Sequence, residues 1–148
     1  MRSMVSLIDT NVIINFITDR EDPYLKECNE LMELCTERKF DGYIAFHSLS
    51  TIWYVIKRQK SEDEARFWLK RICDIMIIAG ATQEQVADAI ENTDFRDFED
   101  CLQDECAVNV SADYIVTCNA KDYKQAKTVV VTPDEFVRIV KENQSIIE

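Results

Sequence analysis

Glycine is nearly missing from this chain. Its 148 residues include two, Gly42 and Gly80. The backbone cradles that hold phosphates, G-x-G-x-x-G and G-x-x-x-x-G-K-[ST], need glycines at a fixed close spacing. That spacing does not occur, so those nucleotide-binding routes are excluded. Histidine is scarcer still, with His47 alone. The six cysteines, Cys28, Cys35, Cys73, Cys101, Cys106 and Cys118, form no Cys-x-x-Cys pair. A structural zinc site takes four nitrogen or sulfur ligands at close spacing, and none is found. The cysteines fall mostly inside apolar periodic segments and are expected to be reduced and buried. No apolar run approaches the roughly 20 residues of a membrane span. The N-terminus lacks a signal-peptide pattern, because its short apolar run ends at Asp9. A cytoplasmic protein with no membrane association is expected.

Basic residues are also in deficit. Lys and Arg number 17 against 28 Asp and Glu, for a formal net charge of −11. Such a balance opposes general attraction to a polyanion. Carboxylates gathered around a divalent cation would account for part of the excess, and the cation would reverse the local field. What the chain does have is 47% hydrophobic and 30% charged residues, as in a folded globular protein. The length suits a single domain, residues 1–148, and neither a repeat nor a linker interrupts it.

The chain opens on Val5-Ser6-Leu7-Ile8, a short apolar strand that stops at Asp9-Thr10-Asn11. Thr10 or Asn11 can cap the short helix predicted over Val12–Thr18. Leu25, Cys28, Leu31, Met32 and Cys35 recur at helical spacing, predicting a helix over Pro23–Lys39. Tyr43–Phe46 reads as a second strand, and Ser48–Gln59 as a helix lying deep in the fold. Capping boxes begin at Ser61, Thr82 and Thr132, each with Glu or Gln three residues on. They open helices carrying Phe67, Trp68 and Ile72, then running to Glu91, then to about Glu142. Ile75–Ala79, Tyr114–Thr117 and Thr128–Val131 complete a set of five strands, and Asp97–Val108 reads as a helix. Strands alternating with helices indicate an α/β domain with a mostly parallel sheet and right-handed crossovers.

Three acidic groups stand out. Asp9 ends the first strand, and in open parallel sheets ligands bind at the carboxyl ends of strands. Asp97, Asp100 and Asp104 share one helical face. Asn119 and Asp122 follow the fourth strand. Each has a plain alternative: a helix cap, a solvated acidic helix start, a polar turn. If the first and fourth strands are neighbours, all three groups meet at one edge. Clustered hard oxygens suit Mg²⁺ or Mn²⁺, and such ions promote phosphodiester hydrolysis.

Four blocks in this order resemble the PIN-domain family, best known for the VapC-type toxin ribonucleases of bacterial toxin–antitoxin pairs. They are Leu7-Ile-Asp9-Thr-Asn-Val-Ile-Ile-Asn-Phe16, Tyr43-Ile-Ala-Phe-His-Ser-Leu-Ser-Thr-Ile-Trp-Tyr-Val-Ile-Lys-Arg58, Asp97-Phe-Glu-Asp100-Cys-Leu-Gln-Asp-Glu-Cys-Ala107 and Ala112-Asp-Tyr-Ile-Val-Thr-Cys-Asn119-Ala-Lys-Asp-Tyr123. Val130-Val-Thr-Pro-Asp-Glu-Phe136 also fits. The resemblance implies a PIN-like three-layer α/β/α sandwich with a small, mostly parallel sheet of about five strands. It implies Mg²⁺- or Mn²⁺-dependent cleavage of RNA, an antitoxin protein as partner, and a homodimer. Asp9 matches the family's first acidic position, Asp100 its third and Asn119 its fourth, with Asp122 close behind. The family often has Glu in the helix after the second strand. Here Thr51 is the best match, so the chain is similar to the subgroup lacking that Glu.

The expected site is therefore Asp9, Asp100, Asn119 and Asp122, with Asp9 and Asp100 as metal ligands. Asp97, Asn11, Thr51, Thr117 and Asp104 would support it. The alternative is a catalytically weak PIN fold that binds nucleic acid or protein. A haloacid-dehalogenase-like phosphotransferase needs a second Asp two residues after the first, where this chain has Asn11.

Overall fold

The computed structural model describes residues 3–147. Its frame is a five-stranded sheet, all parallel, in the order β3-β2-β1-β4-β5. The strands are β1 (Val5–Ile8), β2 (Asp41–Ala45), β3 (Ile77–Ala79), β4 (Tyr114–Val116) and β5 (Val130–Val131). The first strand is central and is the most completely buried, its Ser6 included. Leu7 and Ile8 have no exposed surface, and they face opposite layers, as the period of two requires.

Among the described residues, seven helices cover the sheet: α1 (Thr10–Thr18), α2 (Leu25–Thr36), α3 (Phe46–Gln59), α4 (Glu62–Ile75), α5 (Gln83–Glu91), α6 (Phe98–Asn109) and α7 (Pro133–Ile147). The larger layer takes α1 to α4 and α7. Ile8, Ile13, Leu31, Ile52, Ile72 and Val116 meet there, and Phe40 and Phe136 pack edge to face at 4.8 Å. The smaller layer takes α5 and α6, with Leu7, Ala45, Ala79, Ile115 and Cys106. This is the three-layer α/β/α sandwich with a parallel sheet that the sequence predicts.

Several boundaries differ from the sequence reading for identifiable reasons. Strand β1 passes into α1 with no loop, since Asp9 itself is the N-cap and its Oδ1 accepts from the Thr10 N–H at 2.7 Å. Strand β2 likewise runs straight into α3, which claims Phe46. Helix α3 is shallower than its apolar content suggests. Ser48, Ile52 and Ile56 are buried, whereas Leu49, Trp53 and Val55 are half-buried. Phe67 lies exposed and edge-on to Trp68, which packs against Phe16. The Thr82–Gln85 capping box forms in both directions.

The shortage of glycine leaves a mark. Three turns that need a left-handed residue are filled by Asp19, Arg38 and Ser111, at φ 52°, 59° and 52°. Gly42 is required for space: a Cβ there would lie 2.5 Å from Cys35 Sγ. The cysteines are all free thiols, and Cys28, Cys35, Cys101 and Cys106 are buried as expected. Cys73, on α4, is exposed instead.

Candidate active site

Because β1, β2 and β4 are adjacent and parallel, their carboxyl ends open on one edge. Asp9 stands there with 5% exposure. Its Oδ1 caps α1, and its Oδ2 turns towards the end of β4. That oxygen accepts from Thr117 Oγ1 at 2.8 Å, Tyr123 Oη at 2.9 Å and Asn11 Nδ2 at 3.3 Å. One oxygen therefore serves as the helix cap, and the other gathers the hydroxyls of Thr117 and Tyr123. Burial pushes the Asp9 carboxyl above its ordinary pKa, and the bonds from Thr117, Tyr123 and Thr10 pull the other way.

The β1 and β4 corners are stitched together by small polar groups. Asn11 Oδ1 accepts from the Cys118 N–H at 3.2 Å, and Asn11 Nδ2 reaches Thr117 Oγ1 at 3.4 Å. Thr117 Oγ1 in turn accepts from the Asn119 N–H at 3.1 Å. The chain then winds into a 3-10 turn, Ala120–Tyr123, with the Asp122 N–H donating to the Asn119 carbonyl.

Asp100 arrives from α6. Asp97 is that helix's N-cap, accepting from the Asp100 N–H at 3.1 Å. The Asp100 side chain makes a separate bond, its Oδ1 accepting from Tyr123 Oη at 3.1 Å. Asp9 and Asp100 thus meet at one phenol, and their oxygens are no farther apart than those two bonds laid end to end. The Asp100 carboxyl is pushed up to about 7 by burial first, then by the negative fields of Asp9, Asp97 and Asp122. Burial and the two flanking carboxylates hold the Tyr123 hydroxyl far above its ordinary value, so it stays a neutral donor.

The other expected residues have distinct places. Asn119 is exposed at the mouth of the edge. Asp122 is half-buried, close enough to raise Asp100, and its Oδ1 lies 3.8 Å from the Arg96 guanidinium. Asp104, buried, accepts from the Lys127 and Thr128 N–H groups at 2.9 and 3.1 Å, tying α6 to the start of the last crossover. Thr51 is half-buried on α3, one turn past the hydroxyl that touches the β1 corner. That hydroxyl is Ser48, which accepts from Thr10 Oγ1 at 2.7 Å and Gln103 Nε2 at 2.8 Å. His47 stands at the start of α3 in the fields of Glu99 and Asp9, with its pKa lowered by burial. Its Nε2 is buried without a hydrogen-bond partner among the described residues.

Tyr123, Ser48, Gln103 and His47 were missed as site residues by the sequence reading. The hint for Tyr123 was a polar-tipped aromatic in a polar turn past a strand end. Nothing local indicates that it reaches residue 9.

The donor set tests well for a hard cation. Two carboxylates face one hydroxyl, which has a single proton to give. One of the two must find another positive partner, either a proton or a metal ion. Carboxylate and amide oxygens suit Mg²⁺ or Mn²⁺, with Asp9 and Asp100 as the converging pair. Among the described residues, no group of three or more His, Cys, Asp or Glu is already arranged as a complete ligand cage. Any ion here would keep several waters, as Mg²⁺ commonly does.

Comparison with known proteins gives a consistent picture. A family model described as the PIN domain matches residues 6–121. No curated protein sequence matches the chain. Among solved structures, the chain is similar to VapBC from Salmonella typhimurium bound to DNA, with TM-score 0.66, 14% identity, and 88% and 98% of the two chains covered. It is similar to VapBC2 from Rickettsia felis bound to a promoter DNA fragment, with TM-score 0.63, 18% identity, and 87% and 98% covered. It is also similar to a Mycobacterium tuberculosis VapC toxin that cleaves the sarcin-ricin loop, with TM-score 0.59, 15% identity, and 74% and 86% covered.

Proposed function

The chain belongs to the PIN-domain family, and from that premise we propose that it is a metal-dependent endoribonuclease hydrolysing RNA phosphodiesters, the toxin half of a toxin–antitoxin pair. The observation that carries the reading is the convergence of Asp9 and Asp100, from distant parts of the sequence, on Tyr123 Oη. Likeness in fold to a toxin–antitoxin complex from Klebsiella pneumoniae, with TM-score 0.64 and 19% identity, supports the antitoxin partner, and family resemblance supports a homodimer.

In this reading Asp9 and Asp100 hold Mg²⁺ or Mn²⁺. The ion would supply Lewis acidity and water activation at the phosphodiester. Asp9 is suited to the work because its orientation is fixed from four sides, by Thr10, Asn11, Thr117 and Tyr123. Asp100, with its carboxyl near 7, can hold or give up a proton in the neutral range before a cation arrives. Asn119 and Asp122, at the open edge, are placed to meet the substrate or hydrating waters. The exposed Lys121 is the nearest cation in sequence to this edge and would meet the phosphate backbone.

The test is hydrolysis of single-stranded RNA by the purified chain with Mg²⁺ or Mn²⁺. Cleavage is expected, with a loss of about a hundredfold or more in Asp9→Asn and in Asp100→Asn, as for groups acting directly on reacting charge. Activity unchanged in both variants would sink the assignment.

A second reading is a catalytically weak PIN fold serving as a binding module. It is favoured by the meeting of only two carboxylates at Tyr123 while Asp122 leans to Arg96. Calorimetric titration with Mn²⁺ separates the two readings, and no heat in the millimolar range supports the binding module.

A further inference from the structure

Tyr123 does something that a phenylalanine in its place would not. The ring is 3% exposed and is fixed edge-on to Phe95, with centroids 6.1 Å apart at 89°. That clamp sets the hydroxyl between Asp9 Oδ2 and Asp100 Oδ1, at 2.9 and 3.1 Å. A magnesium ion bound directly by both carboxylates needs each oxygen about 2.1 Å from it. The two oxygens would then have to lie within about 4.2 Å of each other. The phenol oxygen is bonded to one oxygen of each carboxylate, the same two oxygens that such an ion would draw together. It is neutral, and so offers no charge to replace what a cation would gain from a carboxylate.

We infer that Tyr123 is a cation gate. Its hydroxyl bridges Asp9 and Asp100 in the metal-free protein, and a divalent cation engages the two bridged oxygens only by displacing it. The gate rests on the metal-dependent reading above. It adds a positioning residue that sets the cation concentration at which the site loads. The bridge gives the metal-free corner one donor, whose single proton serves one carboxylate at a time.

Removing the hydroxyl should strip that support from the metal-free state and leave the loaded state intact. Calorimetric titration of the full chain with MnCl₂ should give Tyr123→Phe at least about tenfold tighter binding than the unaltered protein, the scale of a hydrogen bond to a charged group. In chelator Tyr123→Phe should melt lower, and on Mn²⁺ addition it should gain more than the unaltered chain. A purely structural tyrosine would lower melting without tightening the metal. Equal or weaker Mn²⁺ binding by Tyr123→Phe, with binding by the unaltered chain lost in Asp9→Asn, overturns the gate and leaves the metal site standing. No Mn²⁺ binding by any of the three overturns the metal reading and the gate with it. A readout independent of substitution uses the unaltered chain labelled with 3-fluorotyrosine. The Tyr123 fluorine resonance should shift on Mg²⁺ addition, and a resonance that stays put at saturating Mg²⁺ overturns the gate.

Discussion

At the scale of single residues, the corner where Asp9, Asp100 and Tyr123 meet is a balance of burial against charge. Asp100 carries its proton up to about pH 7 in the folded chain, whereas an unperturbed Asp gives it up near pH 4. Folding therefore retains a proton that the unfolded chain releases. The associated stability is fully present below about pH 4 and is lost as pH rises through about 7. Denaturant midpoints measured in chelator should fall across that window in the unaltered chain, and Asp100→Asn should flatten the fall. Saturation with Mn²⁺ should reverse it, because cation binding favours the ionised carboxylate. A separate test of close packing is Gly42→Ala. Its new methyl would meet Cys35 Sγ at 2.5 Å, and overpacking of that kind costs about 1–3 kcal/mol. Cys35→Ala in the same chain should restore most of the loss in a urea titration.

At the scale of elements, the ends of helices carry most of what can be tested. Asp97 accepts from Asp100 N–H at the start of α6, so Asp97→Ala should cost about 1 kcal/mol by urea denaturation. It should also lower the Asp100 pKa, since Asp97 is one of the charges raising it. The end of α2 is closed by Arg38 at φ 59°, with the Arg38 and Lys39 N–H groups bonded to the Cys35 and Leu34 carbonyls. A side chain in that left-handed region is strained by roughly 1–2 kcal/mol, partly offset by the greater flexibility of unfolded glycine. Arg38→Gly should therefore stabilise the protein by up to about 1 kcal/mol, read as a higher melting temperature. The sequence showed that these helices exist, through apolar spacing and through the Ser61, Thr82 and Thr132 caps. It placed the starts of α1 and α3 too late because Asp9 and Ala45 are both the end of one element and the cap of the next.

At the scale of the whole molecule, the net charge of −11 is spread over a small protein and repels itself. Raising NaCl from low salt to about 0.3 M shortens the Debye length to less than about 8 Å. The melting temperature of the metal-free chain should rise accordingly. The sheet order matters as much as the charge. With β1 in the centre, flanked by β2 and β4, residues 9, 47–48 and 117–123 reach one edge although far apart in sequence. Helix α6 then delivers Asp100 across the same edge.

The amino-acid sequence by itself determined the class of fold, because the alternation of apolar strands with capped amphipathic helices is a local pattern. It also marked Asp9, Asp100, Asn119 and Asp122 as the acidic and amide groups worth watching. Only the tertiary structure decided their company: Asp104 bound to the Lys127–Thr128 backbone, Asp122 leaning on Arg96, and Tyr123 between Asp9 and Asp100. The reason is geometric. Periodicity says which side of an element faces inward, but which side chain meets another across more than a hundred residues depends on strand order and register.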